Sequence, residues 1–316
     1  MKFKLDTKIS IVDQKITHKD KVIFFGSCFS DEISERFKNA GFDVLSNPFG
    51  TIFHPLSMAK NFQNSINQNP ELSIFESKNH FFSWDCSTLI HSDTKIGLEN
   101  KIRKIQANFL EYIEKSSYLF ITFGTSFAYS LHENNQIVAN CHKQDSTLFR
   151  KVFTEISEMS EVWIEVLDLI FTKNPQIKIV FTVSPVRHSK DGLAENNRSK
   201  ARLFELISSL ENHFKTKNLL HYFPSYEIVI DELRDYRFYK EDLIHPSEQA
   251  INYIWEKLKT AFFSEKTLRL IDEVENLRKL NVHKILTTNQ NEIDLFNENK
   301  SKKIEKFLKE NSDVNF

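Results

Sequence analysis

The feature that most constrains the fold of this chain is a set of short apolar runs separated by long segments with helical periodicity. The three clearest runs are residues 21–25, 118–123 and 177–183. Runs that are apolar at nearly every position are typical of strands buried on both faces, as in parallel sheets covered by helices. Shorter runs at 42–45 and 221–223 predict two further strands. The chain is therefore predicted to have an α/β fold with a central parallel sheet.

Polar motifs follow most of these predicted strands. Open α/β sheets place their sites beside the carboxyl ends of the strands, so we expect the motifs to converge on one cleft. They are Gly26-Ser27-Cys28-Phe29, Asn47-Pro48-Phe49-Gly50, Gly124-Thr125-Ser126, Ser184-Pro185-Val186-Arg187-His188 and, from loops, Asn140-Cys141-His142-Lys143 and Asp242-Leu243-Ile244-His245-Pro246.

The first motif places a hydroxyl and a thiol in the turn between a strand and a helix. An amphipathic pattern that begins near Ser30 and stops at Gly41 predicts the helix. The N-terminus of a helix stabilises an anion and lowers the pKa of a thiol, so Ser27 or Cys28 would be a nucleophile there. The alternative is a plain turn in which a serine caps the helix and the cysteine is packed.

The last motif would supply a base. Asp242, three residues before His245, can accept the imidazole Nδ1–H and fix the tautomer, which leaves Nε2 to take a proton from a nucleophile. An apolar-periodic run over residues 250–258 predicts a helix directly after this loop. The alternative is a solvated or capping histidine.

Bulk properties exclude several classes of partner. The chain has 316 residues and a net charge of −1, so no overall field recruits nucleic acid or an anionic membrane. No segment has the apolar length of a signal peptide or a membrane span. The three cysteines, Cys28, Cys86 and Cys141, are odd in number and widely spaced. That pattern favours a reducing compartment over a disulfide framework and predicts a cytoplasmic location.

The remaining segments are predicted to form an arm, an insertion and an appended helical region. Residues 1–20 are expected to form a short hairpin or arm, residues 70–100 an irregular insertion, and residues 150–172 one long helix. From residue 263 onward glycine and proline are absent and charged residues are frequent. We therefore predict a main domain over 1–262 and a charged helical extension over 263–316, which packs on the domain or on a second copy in a homo-oligomer.

In combination these motifs resemble the GSCFA domain family, and through it the SGNH (GDSL-like) hydrolase superfamily, over roughly residues 1–262. Residues 222–227 and 231–239 add to the resemblance. It implies a three-layer α/β sandwich, similar to flavodoxin, and an esterase or O-acyltransferase with a nucleophile–His–Asp triad. The expected substrate is a small-molecule or glycan acyl ester. No cofactor and no metal are expected.

The resemblance also assigns roles to individual residues. Asp242 and His245 match the superfamily's last block, and Gly50 matches the block that gives an oxyanion N–H. An ungapped register puts Cys28, not Ser27, at the nucleophile position. We expect the Cys28 sulfur to face His245 and Ser27 to be hydrogen-bonded to the local backbone.

The third block of the superfamily, Gly-x-Asn, aligns with Gly124-Thr125-Ser126. The oxyanion donor there would be a hydroxyl, such as that of Ser126, or would come from elsewhere, with Asn140 a candidate. Arg187 and His188 would line the same pocket, unless Arg187 pairs with Asp231 or Asp235.

Two alternatives belong to other functional classes. One is a catalytically inactive module that binds an acylated or glycosidic ligand. The other is a zinc site, although no ligand spacing typical of zinc sites supports it. Its ligands would come from Cys28, Cys86, Cys141, His142, His188 and His245.

Overall fold

Strands and helices alternate along the chain in a computed structural model that describes residues 4–68, 72–283, 285–286 and 289–316. The strands are β1 (Lys21–Gly26), β2 (Asp43–Ser46), β3 (Ile74–Ser77), β4 (His80–Ser83), β5 (His91–Ser92), β6 (Ser116–Phe123), β7 (Phe127–Leu131), β8 (Ile137–Val138), β9 (Phe149–Phe153), β10 (Lys178–Val183) and β11 (Leu220–Tyr222). The α-helices are α1 (Cys28–Asn39), α2 (Pro55–Asn67), α3 (Lys95–Lys115), α4 (Ile156–Lys173), α5 (Leu193–His213), α6 (Ser225–Glu227), α7 (Glu248–Phe262), α8 (Glu265–Val282) and α9 (Gln290–Glu310).

A five-stranded parallel sheet forms the centre of the fold, in the order β11-β10-β6-β1-β2. Every apolar run that predicted a buried strand contributes to it. In the middle of the sheet Phe24 of β1 and Val180 of β10 both pair with Phe120 of β6. The α/β fold with a central parallel sheet is therefore confirmed.

Helices cover both faces of this sheet. Successive strand residues point to opposite sides, and both sets are apolar, so each face needs a covering layer. Ile23 and Phe25 of β1 pack into one apolar cluster, which includes residues of α2, α3, α4 and α5. Val22 and Phe24 pack into the other, which includes residues of α1, α7 and α8. The fold is therefore a three-layer sandwich, as the resemblance implies.

Two small antiparallel sheets lie outside the central sheet, and both differ from the prediction. Residues 70–100 are not an irregular insertion, because they contain the sheet β3-β4-β5. The long helix predicted over 150–172 begins only at Ile156. Its first residues instead form β9 in the sheet β8-β7-β9, where Phe153 stacks on Phe127 with ring centroids 4.5 Å apart.

The N-terminal segment is an arm rather than a hairpin within residues 4–20. Its Ile16 forms an isolated bridge with Phe263 and donates its N–H to the Phe262 carbonyl oxygen at 2.9 Å. The C-terminal helices are present and pack against the rest of the chain. Ile271 of α8 lies in the core beside the sheet, and Asn315 donates its N–H to the Gly41 carbonyl. The boundary at 262/263 stays a prediction.

Candidate active site

A cleft of about 460 Å³ lies at the carboxyl ends of the central strands, where the sequence motifs were expected to meet. Of the residues predicted for the site, six line it: Ser27, Cys28, Asn140, Arg187, His188 and His245. Asp242 reaches the cleft through His245. Gly50, Gly124 and Ser126 lie outside its lining.

Asp242 and His245 form a hydrogen-bonded pair in the loop before α7. The Nδ1 of His245 lies 2.7 Å from Oδ2 of Asp242, whose Oδ1 accepts the backbone N–H groups of Ile244 and His245 at 2.9 Å each. Leu243 bends this loop with a φ of 58°, an uncommon conformation for leucine. The backbone N–H of His245 and its imidazole lower the pKa of Asp242 to about 2, so its carboxylate is ionised across the physiological range.

The turn after β1 is held close to its neighbours. A Cβ on Gly26 would lie 2.3 Å from the carbonyl oxygen of Thr122, so only glycine fits there. The Gly26 N–H donates to Oδ1 of Asn47 at 2.7 Å, and the Asn47 amide donates to Asp31. This network fixes the point at which Cys28 begins α1.

The Cys28 thiol is half-buried at the first position of α1. Burial and the nearby Asp31 carboxylate raise its pKa, and they outweigh the backbone N–H groups of Phe29 and Cys28, which lower it. The helix N-terminus thus lowers the pKa of this thiol as expected, but burial and Asp31 have the larger effect in the opposite direction. The thiol is protonated near neutral pH and needs a base to become a nucleophile.

Ser27 occupies the N-cap position of α1, but its hydroxyl does not cap the helix. The Oγ is buried and has no hydrogen-bond partner among the described residues. The prediction that this hydroxyl satisfies the local backbone is therefore wrong. Because Ser27 is 3% exposed while Cys28 is half-buried, the thiol is the more accessible of the two groups.

The two glycines assigned to the oxyanion hole use their N–H groups elsewhere. Gly50 donates to the Asn47 carbonyl at 2.7 Å, and Gly124 donates to the Phe53 carbonyl at 2.8 Å. The Gly50 bond closes a turn, whereas the Gly124 bond joins two segments that are far apart in the chain, so both N–H groups are already engaged within the fold. The Ser126 hydroxyl is likewise engaged, since it donates to Ser199.

Among the residues predicted to donate a hydrogen bond to an oxyanion, Asn140 has a donor that is still available. Its Oδ1 accepts from the Thr88 hydroxyl at 3.1 Å and from the His142 backbone at 2.7 Å. The side-chain amide nitrogen has no partner among the described residues, and Asn140 lines the cleft. Asn140 can therefore donate a hydrogen bond to a bound molecule.

Lys200 of α5 is a site residue that the sequence analysis missed. Its side chain is 2% exposed, and its Nζ donates to the carbonyl oxygens of Gly124 at 2.6 Å and Ser184 at 2.7 Å. Burial lowers its pKa to about 7, and its charge interacts with Cys28. A signal was present, because helical spacing puts position 200 on one stripe with Leu203 and Ile207, both buried.

Arg187 and His188 are the remaining predicted residues that line the cleft. Arg187 pairs with neither Asp231 nor Asp235; its guanidinium lies over the ring of Tyr239, 4.2 Å from the centroid. His188 lies beside Phe53, and burial together with the charge of Lys200 lowers the pKa of its imidazole to about 4. His188 is therefore neutral at physiological pH.

The match to a protein-family model identifies the chain. The model of the GSCFA family matches residues 21–258, which span the central sheet and both halves of the cleft. The chain belongs to the GSCFA family. The resemblance of its motifs to that family is thus confirmed. A comparison with curated protein sequences found no match.

Several solved structures are similar in fold to this GSCFA chain. A carbohydrate esterase family 3 protein from Talaromyces cellulolyticus is 7% identical, with 80% of this chain and 99% of that one covered and a TM-score of 0.38. A GDSL-like lipase from Bacteroides thetaiotaomicron is 12% identical, with 79% and 91% covered and a TM-score of 0.38. The periplasmic domain of a lipopolysaccharide acetyltransferase from Salmonella ser. Paratyphi A is 10% identical, with 78% and 83% covered and a TM-score of 0.35.

Two further findings concern the described part of the GSCFA chain. None of its helices combines the length and the apolar character needed to cross a membrane. Within the same residues, no group of three or more His, Cys, Asp or Glu side chains is arranged to hold a metal ion. His142, one of the suggested zinc ligands, instead places Nε2 at 2.9 Å from the Ser83 carbonyl.

Proposed function

We propose that this GSCFA protein acts on ester bonds, as an esterase or an O-acyltransferase, through a triad of Cys28, His245 and Asp242. One observation carries the proposal: the thiol at the start of α1 and the imidazole of the loop before α7 line the same cleft. The carboxylate of Asp242 holds Nδ1 of that imidazole, as a triad requires.

The first step is proton transfer from the Cys28 sulfur to Nε2 of His245. A base is needed because burial and Asp31 keep the thiol protonated. As the thiolate attacks the ester carbonyl carbon, its lone pair forms the C–S bond and the carbonyl π electrons move onto oxygen. The unpaired amide of Asn140 and the backbone N–H groups of Cys28 and Phe29 at the start of α1 supply donors for that oxyanion.

The second half regenerates the enzyme. The C–O bond to the alcohol breaks, and His245 returns its proton to the leaving oxygen, which leaves a thioester on Cys28. Water or a second alcohol then loses a proton to His245, and its oxygen attacks the thioester carbonyl carbon. As the C=O bond re-forms, the C–S bond breaks, the acyl product leaves, and His245 returns the proton to the Cys28 sulfur. Water as acceptor gives an esterase, and an alcohol such as a sugar hydroxyl gives an acyltransferase.

The test measures p-nitrophenyl ester turnover, with and without added alcohols, in wild type and four alanine variants. Cys28→Ala and His245→Ala are expected to lower kcat at least about a hundredfold. Cys141→Ala is the matched control, because Cys141 is a second half-buried thiol in the same cleft. Ser27→Ala is expected to retain most activity, since its hydroxyl is buried.

Each other outcome has a defined meaning. Full activity in Cys28→Ala with loss in Ser27→Ala would reassign the nucleophile to serine. Absence of turnover by wild type, together with no labelling of Cys28 by acyl-transferring probes, would leave the second candidate, a binding module without chemistry. The observation that favours this candidate is that the N–H groups of Gly50 and Gly124 are hydrogen-bonded within the fold and do not serve an oxyanion.

A further inference from the structure

The part of the cleft wall formed by residues 187–191 and Lys151 is rich in cationic side chains. Arg187, Lys151 and Lys190 all line it, while Asp191 is the acidic side chain in the lining. Asp191 forms an ion pair with Lys151, which leaves it neutralised. Arg187 and Lys190 have no carboxylate partner among the residues that the structure describes.

Arg187 is held in place without such a partner. Its guanidinium lies 4.2 Å from the ring centroid of Tyr239 and 5.5 Å from that of Tyr236. Its backbone N–H donates to the Ile244 carbonyl at 3.3 Å, directly beside His245. The guanidinium N–H groups make no hydrogen bond to the residues that the structure describes, so they remain available for two parallel hydrogen bonds to a carboxylate or a phosphate.

The buried Lys200 acts on the same part of the cleft. Its charge disfavours protonation of His188, while the carboxylate of Asp191 favours it. Unpaired cations in a concave site raise the local concentration of anions and speed their arrival. The net charge of the whole chain is −1, so this positive wall is a local feature rather than a property of the composition.

We propose that the cleft takes an ester that carries a carboxylate or phosphate group, and that Arg187, with Lys190, binds that anion beside the triad. This inference rests on the proposed function and deepens it by naming the substrate class. Arg187 is thereby a binding residue that orients the ester toward Cys28, and it takes no part in bond making.

The first test needs no turnover. Iodoacetate and iodoacetamide alkylate the same thiolate and differ by one negative charge, so the ratio of their rates at Cys28 reports the field in the cleft. Peptide mass spectrometry gives the two alkylation rates for each cysteine. The iodoacetate-to-iodoacetamide ratio of each cysteine is then divided by the same ratio measured for N-acetylcysteine. We expect the normalised ratio to favour iodoacetate about tenfold at low salt and to fall as salt rises.

Variants locate the source of that preference. Arg187→Met is expected to remove most of it, and Lys190→Met part of it. Lys190 is exposed, which keeps the test valid if Arg187→Met fails to fold. The control is Arg269→Met, because Arg269 is an exposed arginine on α8 outside the cleft and should leave the ratio unchanged. Equal ratios in wild type, Arg187→Met and Lys190→Met overturn the inference.

A second set of experiments distinguishes a carboxylate from a phosphate as the bound group. It also tests the anionic substrate separately from the proposed ester chemistry. Inorganic phosphate and succinate are each tested for protection of Cys28 against alkylation. The anion that protects at the lower concentration identifies the preferred group, phosphate or carboxylate. Turnover of p-nitrophenyl hemisuccinate should exceed that of the neutral butyrate ester about tenfold in kcat/KM, and Arg187→Met should abolish the difference. Turnover of both esters at equal rates refutes the anionic substrate but retains the proposed function. An iodoacetate preference without any turnover refutes the proposed function alone.

Discussion

The ammonium nitrogen of Lys200 lies 2.6 Å from the carbonyl oxygen of Gly124, the residue that follows β6. It lies 2.7 Å from the carbonyl of Ser184, the residue that follows β10. One buried cation therefore ties together the ends of two neighbouring strands. Thr125 and Ser184 at those ends both line the cleft, so Lys200 positions the floor of the site.

Lys200 should make stability depend on pH in a defined direction. Burial lowers its pKa from 10.5 to about 7, so between these values the unfolded chain binds a proton that the folded chain lacks. Stability therefore rises with pH across that window, by up to about 1.4 kcal/mol per pH unit. Urea denaturation at pH 7.5 and 9.5 should show a larger rise in wild type than in Lys200→Met. Equal slopes would contradict the assignment.

Asp31 should control the acidity of Cys28, the proposed nucleophile. Its carboxylate is the second cause, after burial, of the raised pKa of Cys28. Asp31→Asn is therefore expected to lower that pKa, which is read from the pH dependence of Cys28 alkylation by iodoacetamide. Glu35→Gln removes one exposed carboxylate from the same helix and serves as the control. A pH profile that shifts equally in both variants would show only a change in overall charge.

Asp242→Asn should lower kcat by roughly 10²- to 10⁴-fold, because an amide facing Nδ1 donates and forces the proton onto Nε2. An imidazole in that tautomer cannot accept the Cys28 proton. Asp235→Asn is the matched control, since Asp235 also accepts a backbone N–H two residues on, that of Arg237, but does not line the cleft. Because the pKa of Asp242 is about 2, the acidic limb of the pH–rate profile should not arise from this carboxylate.

Two glycines should respond differently to the same substitution. Gly26→Ala places a methyl group 2.3 Å from the Thr122 carbonyl oxygen, so the contact between β1 and β6 must open. We expect a loss of more than about 3 kcal/mol in the free energy of unfolding. Gly192 also has a positive φ, of 85°, but nothing lies within 4 Å of the added methyl group. Gly192→Ala should cost about 1–2 kcal/mol from backbone strain alone, measured by the same urea titration.

The parallel sheet could be predicted because its strands are apolar on both faces, a pattern that few other structures produce. The strands of the small sheets could not, since β8 has two residues and β9 carries Arg150 and Lys151 between its phenylalanines. Such short segments are stabilised by their pairing partners rather than by a pattern of their own.

The site was predictable where neighbouring residues act together, as Asp242 and His245 do. It was not predictable where function depends on contacts between distant segments. Nothing local shows that the Gly124 N–H is used by the carbonyl of Phe53, which is far away in the chain. The raised pKa of Cys28 is of the same kind, since it depends on how deeply the fold buries the thiol.

The β8-β7-β9 sheet has a consequence for how this protein could diversify. It contributes Tyr129 and Lys151 to the cleft, and Asn140 lies between its strands β8 and β9. The sheet has no strand in common with the central sheet. Cys28 and His245 are carried by other parts of the chain. Mutations between β6 and α4 can therefore alter which molecule is selected without shifting the register that aligns the reacting groups. Relatives that share the proposed triad of Cys28, His245 and Asp242 but differ in this segment are therefore expected to select different molecules.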